Sequence, residues 1–186
     1  MKIAVLCGHG WNTKGKESPD GSYKEWKGVR EIAGHMQHLL ECCYSLKDHQ
    51  IDFVNMGPIE IPLGAKAQFL NDMGYDFAIE LHSNAAGRKG WNEARGARFI
   101  YWHRSKASKR LAGILADNFM TGDGPEPKTM PTRKLYMCRK PDCPSVICEL
   151  FFHTNIDDIV LFRKHYKDMA CDLLAGLLEI AEGATK

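Results

Sequence analysis

Residues 2–10 read KIAVLCGHG, and the architecture of the whole chain can be worked out from this stretch. Its apolar run IAVL is typical of a buried strand, and it leads directly into a histidine placed between Gly8 and Gly10. We interpret the two glycines as a sharp turn that leaves the imidazole of His9 free to face a ligand. A histidine at the end of a strand is a core residue, a general base or a metal ligand, so other residues must decide among the three.

Beyond this first strand, at 2–7, short apolar runs with β-branched and aromatic residues alternate with segments that have the hydrophobic period of helices. Further strands are predicted at 51–56, 76–82, 97–102 and 145–150, and helices at 23–45, from Leu63, from Ser105 and over the C-terminal residues. Residues 121–133 are predicted to be irregular. This alternation predicts an α/β fold with a mostly parallel central sheet flanked by helices, and we expect a single domain over residues 1–186.

Composition excludes several classes of protein. Of the 186 residues, 44% are hydrophobic and 26% are charged, which is ordinary for a globular domain. Apolar runs are far shorter than the roughly 20 residues of a membrane helix, and we recognise no signal peptide, so we expect no membrane span. A net charge of +2 is too small to indicate a nucleic-acid partner. The seven cysteines, an odd number, favour reduced thiols over a disulfide framework.

Four chemically active side chains are predicted to meet at one edge of the sheet. His9 follows the first strand, His82 ends the strand 76–82, and Glu149 lies near the end of the strand 145–150. In parallel sheets, ligands bind at the carboxyl ends of the strands. Glu25 lies four residues before Val29, which places it on the buried stripe of the first helix. Two histidines and one carboxylate with an open fourth position are typical of a catalytic zinc site, and a second carboxylate completes a zinc hydrolase.

These residues also have structural interpretations. A histidine at a strand end is often held by hydrogen bonds alone, and Ser22-x-x-Glu25 matches a capping box, in which the carboxylate bonds the start of the helix. Glu149 is harder to explain in this way, because a buried carboxylate without a partner is costly. A cysteine hydrolase based on Cys7 or Cys148 is another reading, although Cys148 and Glu149 are adjacent on one strand and point to opposite faces.

Five motifs, taken in order and spacing, resemble one family. They are IAVLCGHG, SYKEWKGVREIA, FAIELHSNAA, ARGARFIYW and SVICELFFHTN. The set is similar nearly end to end to the zinc-dependent N-acetylmuramoyl-L-alanine amidases, which cleave bacterial peptidoglycan. The resemblance implies one zinc ion bound by His9, Glu25 and His82, with Glu149 as the catalytic carboxylate and peptidoglycan as the partner. For Glu25, it favours metal binding over the capping box.

Several positions depart from the family pattern. Lys66 stands where an arginine is common, and Phe151 replaces the glycine that usually follows the catalytic glutamate. The segment KGKESPDGS resembles a phage or prophage subgroup, which implies an endolysin-like enzyme that stays in the cytoplasm until it is released to the wall. Arg133, at the end of the irregular stretch, is predicted to meet carboxylates of the substrate, and His153 is a weaker candidate for a role behind the metal ligands.

The predicted reaction is hydrolysis of the amide bond between N-acetylmuramic acid and L-alanine, by a zinc-activated water with Glu149 as general base. Two alternatives remain at this stage. One is a zinc hydrolase that cuts another peptide or acyl-amino-acid amide. The other is a non-catalytic, zinc-stabilised module that binds the cell wall.

Overall fold

The computed structural model describes residues 1–44, 48–87, 90–120 and 124–183. Within these ranges the elements are β1 (Lys2–Cys7), α1 (Glu25–Cys43), β2 (Gln50–Val54), α2 (Leu63–Met73), β3 (Phe77–Asn84), β4 (Arg98–Trp102), α3 (Lys106–Asn118), β5 (Lys128–Thr132), α4 (Tyr136–Arg139), β6 (Ser145–Phe152) and α5 (Ile156–Gly183). The predicted end of the first helix at residue 45, and residues 121–123 of the predicted irregular stretch, lie outside the described residues.

The strands form one six-stranded sheet in the order β2-β1-β3-β6-β4-β5. Four of the neighbouring pairs are parallel, and only β4 runs antiparallel to its neighbour β6. The predicted α/β class with a mostly parallel sheet is therefore confirmed. Because β3 and β6 are neighbours, His82 lies directly opposite Glu149 in their register.

Side chains alternate between the two faces of the sheet, and each face has its own apolar layer. On one face, strand residues such as Val5 and Ile79 pack with the buried stripe of α1 and with α3 and α5. On the other face, Leu6 and Ala78 pack with residues of α2 and α4. The connection from β1 to β2, through α1, thus covers one face of the sheet, and the connection from β2 to β3, through α2, covers the opposite face. The crevice between the ends of β1 and β3 is a topological switch point, where α/β proteins bind ligands.

The stretch 121–133 is less irregular than predicted, because β5 pairs with β4 at the edge of the sheet. Its sequence, KTMPT, has no apolar alternation, and its proline is tolerated because the strand is at an edge. The cap predicted at Ser105 is confirmed, since its side chain accepts a hydrogen bond from the Ser108 backbone N–H. None of the helices in the described ranges has the length and apolar character of a membrane span.

Candidate metal centre and active-site pocket

His9 follows β1 and has a left-handed backbone, with φ of 51°. Neither of its flanking glycines has a positive φ, so the left-handed residue of the turn is His9 itself and not Gly8 or Gly10. They provide space instead. A Cβ atom on Gly8 would lie 2.2 Å from the His82 ring, and one on Gly10 would lie 2.0 Å from the backbone nitrogen of Glu60. The glycines let the His82 ring and a neighbouring loop approach the backbone on either side of His9.

Glu25 is the first residue of α1 and is almost completely buried. Its Oε1 atom accepts a hydrogen bond of 3.0 Å from the Ser83 backbone N–H and lies 3.0 Å from Nδ1 of His82. The alternative of a capping box with Ser22 does not form, because the helix is capped at Lys24 without a side-chain hydrogen bond. The carboxylate therefore points away from its own helix and toward the end of β3.

His9, Glu25 and His82 each offer one ligand atom, and the three atoms lie within 4.8 Å of one another. Nε2 of His9 is 3.9 Å from Glu25 Oε1, and the two imidazole rings meet edge to face with their centroids 5.0 Å apart. Oε2 of Glu25 is buried and has no hydrogen-bond partner among the described residues. Two imidazole nitrogens and a carboxylate with an unsatisfied oxygen fit a zinc ion.

The electrostatics of the site also favour a cation. Burial lowers the pKa of His82, but Glu25 and Glu80 oppose it, and with Glu149 they raise this pKa well above its ordinary value. For His9, burial is the dominant cause and lowers the pKa. The group of carboxylates around His82 thus produces a negative potential that a proton or a metal ion can neutralise.

Glu149 faces the same space from β6. Its Oε2 atom is buried without a hydrogen-bond partner among the described residues. Burial raises the pKa of Glu149 to about 7, with His82 opposing and Glu25 adding to the effect. A carboxyl group with this pKa can both accept and release a proton at neutral pH, as a general acid–base catalyst must.

These four residues line one cavity of about 320 Å³. Its walls are partly apolar, with Leu63 from α2, Leu135 before α4 and Ile147 from β6. A concave, partly apolar pocket with a few convergent polar groups is typical of a small-molecule or catalytic site. As predicted, the structure brings together His9, Glu25, His82 and Glu149 at one edge of the sheet.

A family model described as N-acetylmuramoyl-L-alanine amidase matches residues 3–179. The chain belongs to this family. It is therefore an amidohydrolase of the N-acetylmuramoyl-L-alanine amidase class, which hydrolyses amide bonds of peptidoglycan, and the resemblance seen in the sequence is confirmed. No curated protein matches the chain significantly by sequence.

Solved amidase structures share the fold. An N-acetylmuramoyl-L-alanine amidase from Clostridium difficile 630 superimposes with a TM-score of 0.85 at 22% identity, over 97% of this chain and 96% of that one. The catalytic domain of CwlV, an amidase from Bacillus (Paenibacillus) polymyxa var. colistinus, gives 0.83 at 18% identity, over 98% and 99%. The catalytic domain of an endolysin targeting Clostridia difficile gives 0.71 at 21% identity, over 96% and 97%.

Arg133, predicted to bind substrate carboxylates, is exposed and is not among the residues that line the amidase pocket. Lys16 lines it instead and is the only lysine or arginine among the described residues that do so. It belongs to the loop after His9, which folds back so that the Lys16 carbonyl accepts a hydrogen bond from the Glu25 N–H. The path of such a loop cannot be read from residue spacing.

Glu80, which was not predicted from the sequence, also lines the pocket and is buried. Burial would raise its pKa, but His82 and Lys66 outweigh that effect and lower the pKa to about 2. A signal was present, because Glu80 lies two residues before His82 on the same strand and so shares its face. His153 is buried behind Glu25, where its Nδ1 atom is 2.9 Å from the Ser83 hydroxyl oxygen and 4.0 Å from Glu25 Oε2.

The thiols do not fit a nucleophilic role in this amidase. Cys7 and Cys148 are completely buried on the face of the sheet opposite the pocket. Burial raises the pKa of Cys7 to about 12 and that of Cys148 well above its ordinary value. A reactive cysteine needs an accessible thiolate, so the cysteine-hydrolase reading is not supported. All seven cysteines are unpaired.

Proposed function

We propose that this amidase hydrolyses the bond between the lactyl group of N-acetylmuramic acid and L-alanine, with one zinc ion held by His9, Glu25 and His82 and with Glu149 as general base. The observation that carries the proposal is the arrangement of three ligand atoms within 4.8 Å of one another, in a cavity that also contains the unpaired oxygen of Glu149. Family membership supports peptidoglycan as the substrate.

The residues present fit zinc in number and in type. When bound, the ion supplies a Lewis acid that polarises the scissile carbonyl and lowers the pKa of a water molecule. His9 and His82 contribute nitrogen ligands and Glu25 an oxygen ligand, so the fourth position is left for water and substrate. The Ser83 N–H holds the Glu25 carboxylate in place.

Glu149 performs the two proton transfers. As a carboxylate, it accepts a proton from the water whose oxygen attacks the lactyl carbonyl carbon. As a carboxylic acid, it then donates this proton to the L-alanine nitrogen when the carbon–nitrogen bond breaks. The products are a free carboxylate on the muramic acid and a free amino terminus on the stem peptide. In the metal-free site, burial raises the pKa of Glu149 to about 7, within the range in which one group can perform both steps.

The remaining pocket residues bind and orient the substrate. Lys16 places a positive charge in the wall of a site that is otherwise rich in carboxylates, so it can pair with an acidic group of the stem peptide. Leu63 and Ile147 provide apolar contact for the parts of the substrate that carry no charge. Arg133 stays a prediction as a second contact for substrate carboxylates, farther from the reacting bond.

Mass spectrometry of digested peptidoglycan tests the proposal. Purified sacculi are incubated with the zinc-loaded protein, with a chelator-treated sample, and with the zinc-loaded Glu149→Gln variant. We expect intact glycan strands, and stem peptides with a new L-alanine amino terminus, from the first sample only. Cuts elsewhere in the stem would favour the alternative of a zinc peptidase. Zinc binding with wall binding, but without any product from several wall types, would favour the non-catalytic module.

A role in host-cell lysis is the further proposal that goes with the phage-type resemblance of residues 14–22. In this proposal the enzyme stays in the cytoplasm until it is released to the wall. Expression in a bacterium with and without a co-expressed membrane-permeabilising protein tests it. We expect the optical density of the culture to collapse only when both are present, and lysis by the amidase alone would contradict the proposed route.

A further inference from the structure

We propose that Glu60 and Glu80 are positioning residues for the metal site, each fixing the ring of one ligand histidine, and that they act as a pair because Lys66 bridges them. This inference rests on the proposed binding of zinc by His9 and His82. It does not depend on which amide bond the enzyme cuts.

The first half of the arrangement is at His9. Oε2 of Glu60 lies 3.3 Å from Nδ1 of His9, on the side of the ring away from Glu25. The same oxygen accepts a hydrogen bond of 2.8 Å from the Thr13 hydroxyl group, which fixes the carboxylate. With Nδ1 directed at Glu60, the nitrogen that remains for the metal is Nε2, which faces Glu25 at 3.9 Å.

The second half of the arrangement is at His82, where the two ring nitrogens exchange their roles relative to His9. Oε2 of Glu80 lies 3.6 Å from Nε2, whereas Nδ1 faces Glu25 at 3.0 Å. Nδ1 is therefore the nitrogen that His82 offers to the metal. The two ligand histidines thus present different nitrogens to one centre, and each has a carboxylate behind its other nitrogen.

Lys66 connects the two halves. It extends from α2 and is 3% exposed, and its ammonium group donates a hydrogen bond of 2.8 Å to Oε1 of Glu80. The same nitrogen lies 3.3 Å from Oε1 of Glu60. Each carboxylate therefore uses one oxygen for the lysine and the other for a histidine. The positive charge compensates two buried or half-buried carboxylates that would otherwise repel each other.

A carboxylate behind a ligand histidine has a known physical effect. It accepts the N–H of the nitrogen that does not bind the metal, so it selects the tautomer and holds the ring in the plane that coordination needs. It also makes the coordinating nitrogen more basic. Removal of such a partner typically weakens metal binding by about 10–100-fold.

Zinc affinity measured by competition with a chromophoric chelator tests the inference. The variants are Glu60→Gln and Glu80→Gln, which keep the shape of the side chain and remove its charge. Glu41→Gln is the matched control, because Glu41 is an exposed residue of α1 that lies sixteen positions, or roughly 24 Å, beyond Glu25. We expect a 10–100-fold loss of affinity in each of the first two variants and less than a twofold change in the control.

Nitrogen-15 NMR of the zinc-loaded wild-type protein gives a second readout that does not depend on the variants folding. It identifies which ring nitrogen of each histidine carries a proton. We expect the proton on Nδ1 of His9 and on Nε2 of His82. In Glu80→Gln the signals of His82 should change most, and in Glu60→Gln those of His9. The other histidine should show a smaller change in each variant, because Lys66 contacts both carboxylates.

The outcomes separate this inference from the proposed function. If the wild-type protein binds zinc and His82→Ala does not, but Glu60→Gln and Glu80→Gln bind as tightly as the wild type, the positioning role is wrong and the metal site stands. Protons on the opposite nitrogens would also overturn it. If the wild-type protein binds no zinc, both this inference and the proposed metal site fail.

Discussion

Glu25, at the start of α1, and Glu149, near the end of β6, line the same cavity in different environments. Each has one buried oxygen without a hydrogen-bond partner among the described residues. Burial would raise the pKa of Glu25, but the hydrogen bond and charge of His82, followed by the charges of His9 and His153, lower it. For Glu149, burial dominates and the pKa rises to about 7.

The contrast shows how one residue type is assigned two roles by its surroundings. Glu25 lies at the N-terminus of a helix, where the backbone dipole favours a negative charge, and it accepts the Ser83 N–H. It stays ionised and is suited to bind a cation. Among the described residues, no hydrogen bond to the buried Oε2 of Glu149 offsets the effect of burial. Glu149 is therefore suited to exchange a proton. The same Glu→Gln substitution at both positions tests this division.

Glu25→Gln is expected to have the largest effect, because the amide removes the only anionic ligand of the proposed centre. We expect zinc affinity to fall by more than the roughly 10–100-fold typical of a change behind the ligands, and amidase activity to fall to background. Chelator competition and product release from peptidoglycan measure the two quantities. Tight zinc binding by this variant would mean that Glu25 is a structural residue.

Glu149→Gln is expected to separate catalysis from metal binding. Without a general base, kcat should fall by roughly 10²–10⁴-fold, while zinc affinity stays within about threefold of that of the wild type. The same two assays measure these values, with Glu25→Gln run in parallel. A comparable loss of zinc in both variants would remove the distinction between ligand and base.

In the metal-free protein, Glu149→Gln and Glu25→Gln should change the free energy of unfolding in opposite directions. Below the ordinary Glu pKa of 4.5, Glu149 is protonated in both the folded and the unfolded chain and has no effect. Between 4.5 and about 7, the unfolded chain releases the proton first, so the folded state loses stability, and above about 7 the penalty is constant. Glu149→Gln removes this penalty, and should stabilise the fold by on the order of 3 kcal/mol at pH 8 but by less than about 1 kcal/mol at pH 5.

Urea unfolding in the presence of a chelator, at pH 5 and at pH 8, measures this difference. Glu25→Gln is the comparison, and it should destabilise the fold at pH 8, because the amide loses the charge-assisted bonds to Ser83 and His82. An equal effect of Glu149→Gln at both pH values would show that the carboxyl group of Glu149 is not held near a pKa of 7.

Lys16→Met should have the smallest effect. The charge of Lys16 lowers the pKa of Glu149. Its loss should raise KM by about fivefold, equivalent to about 1 kcal/mol, and move the acid limb of the kcat/KM profile to slightly higher pH. Arg133→Met is the control. A larger rise in KM for this variant than for Lys16→Met would place the substrate carboxylates near Arg133, outside the pocket.

The residues that the sequence identified are those whose position follows from a repeating pattern. His9 and His82 could be located because each lies at the end of a predicted strand, and helical spacing located Glu25 on the buried stripe of α1. The parallel sheet then brought them together, because parallel strands end at the same edge. The choice between ligand and capping box could not be made from spacing, because both use the same residue at the same position.

The contacts of Lys66, Glu60 and Lys16 depend on tertiary approach. The sequence marks Lys66 only as a departure from the family pattern, and only the packing of α2 against the sheet brings this lysine to Glu80 and Glu60. Lys16 reaches the pocket through an irregular loop. β5 was missed for another reason, because its pairing with β4 comes from backbone hydrogen bonds at an exposed edge, which leave little trace in the side-chain pattern.

Gly8 and Gly10 flank the same histidine, yet a saturation library would treat them differently. At position 10 any side chain meets the backbone of residues 59 and 60, so selection for folded protein alone would keep glycine there. At position 8 the obstacle is the ring of His82, so a larger residue would push aside a proposed ligand and leave the strand intact. Glycine at position 10 is thus required for folding, whereas glycine at position 8 is required only for the proposed metal site.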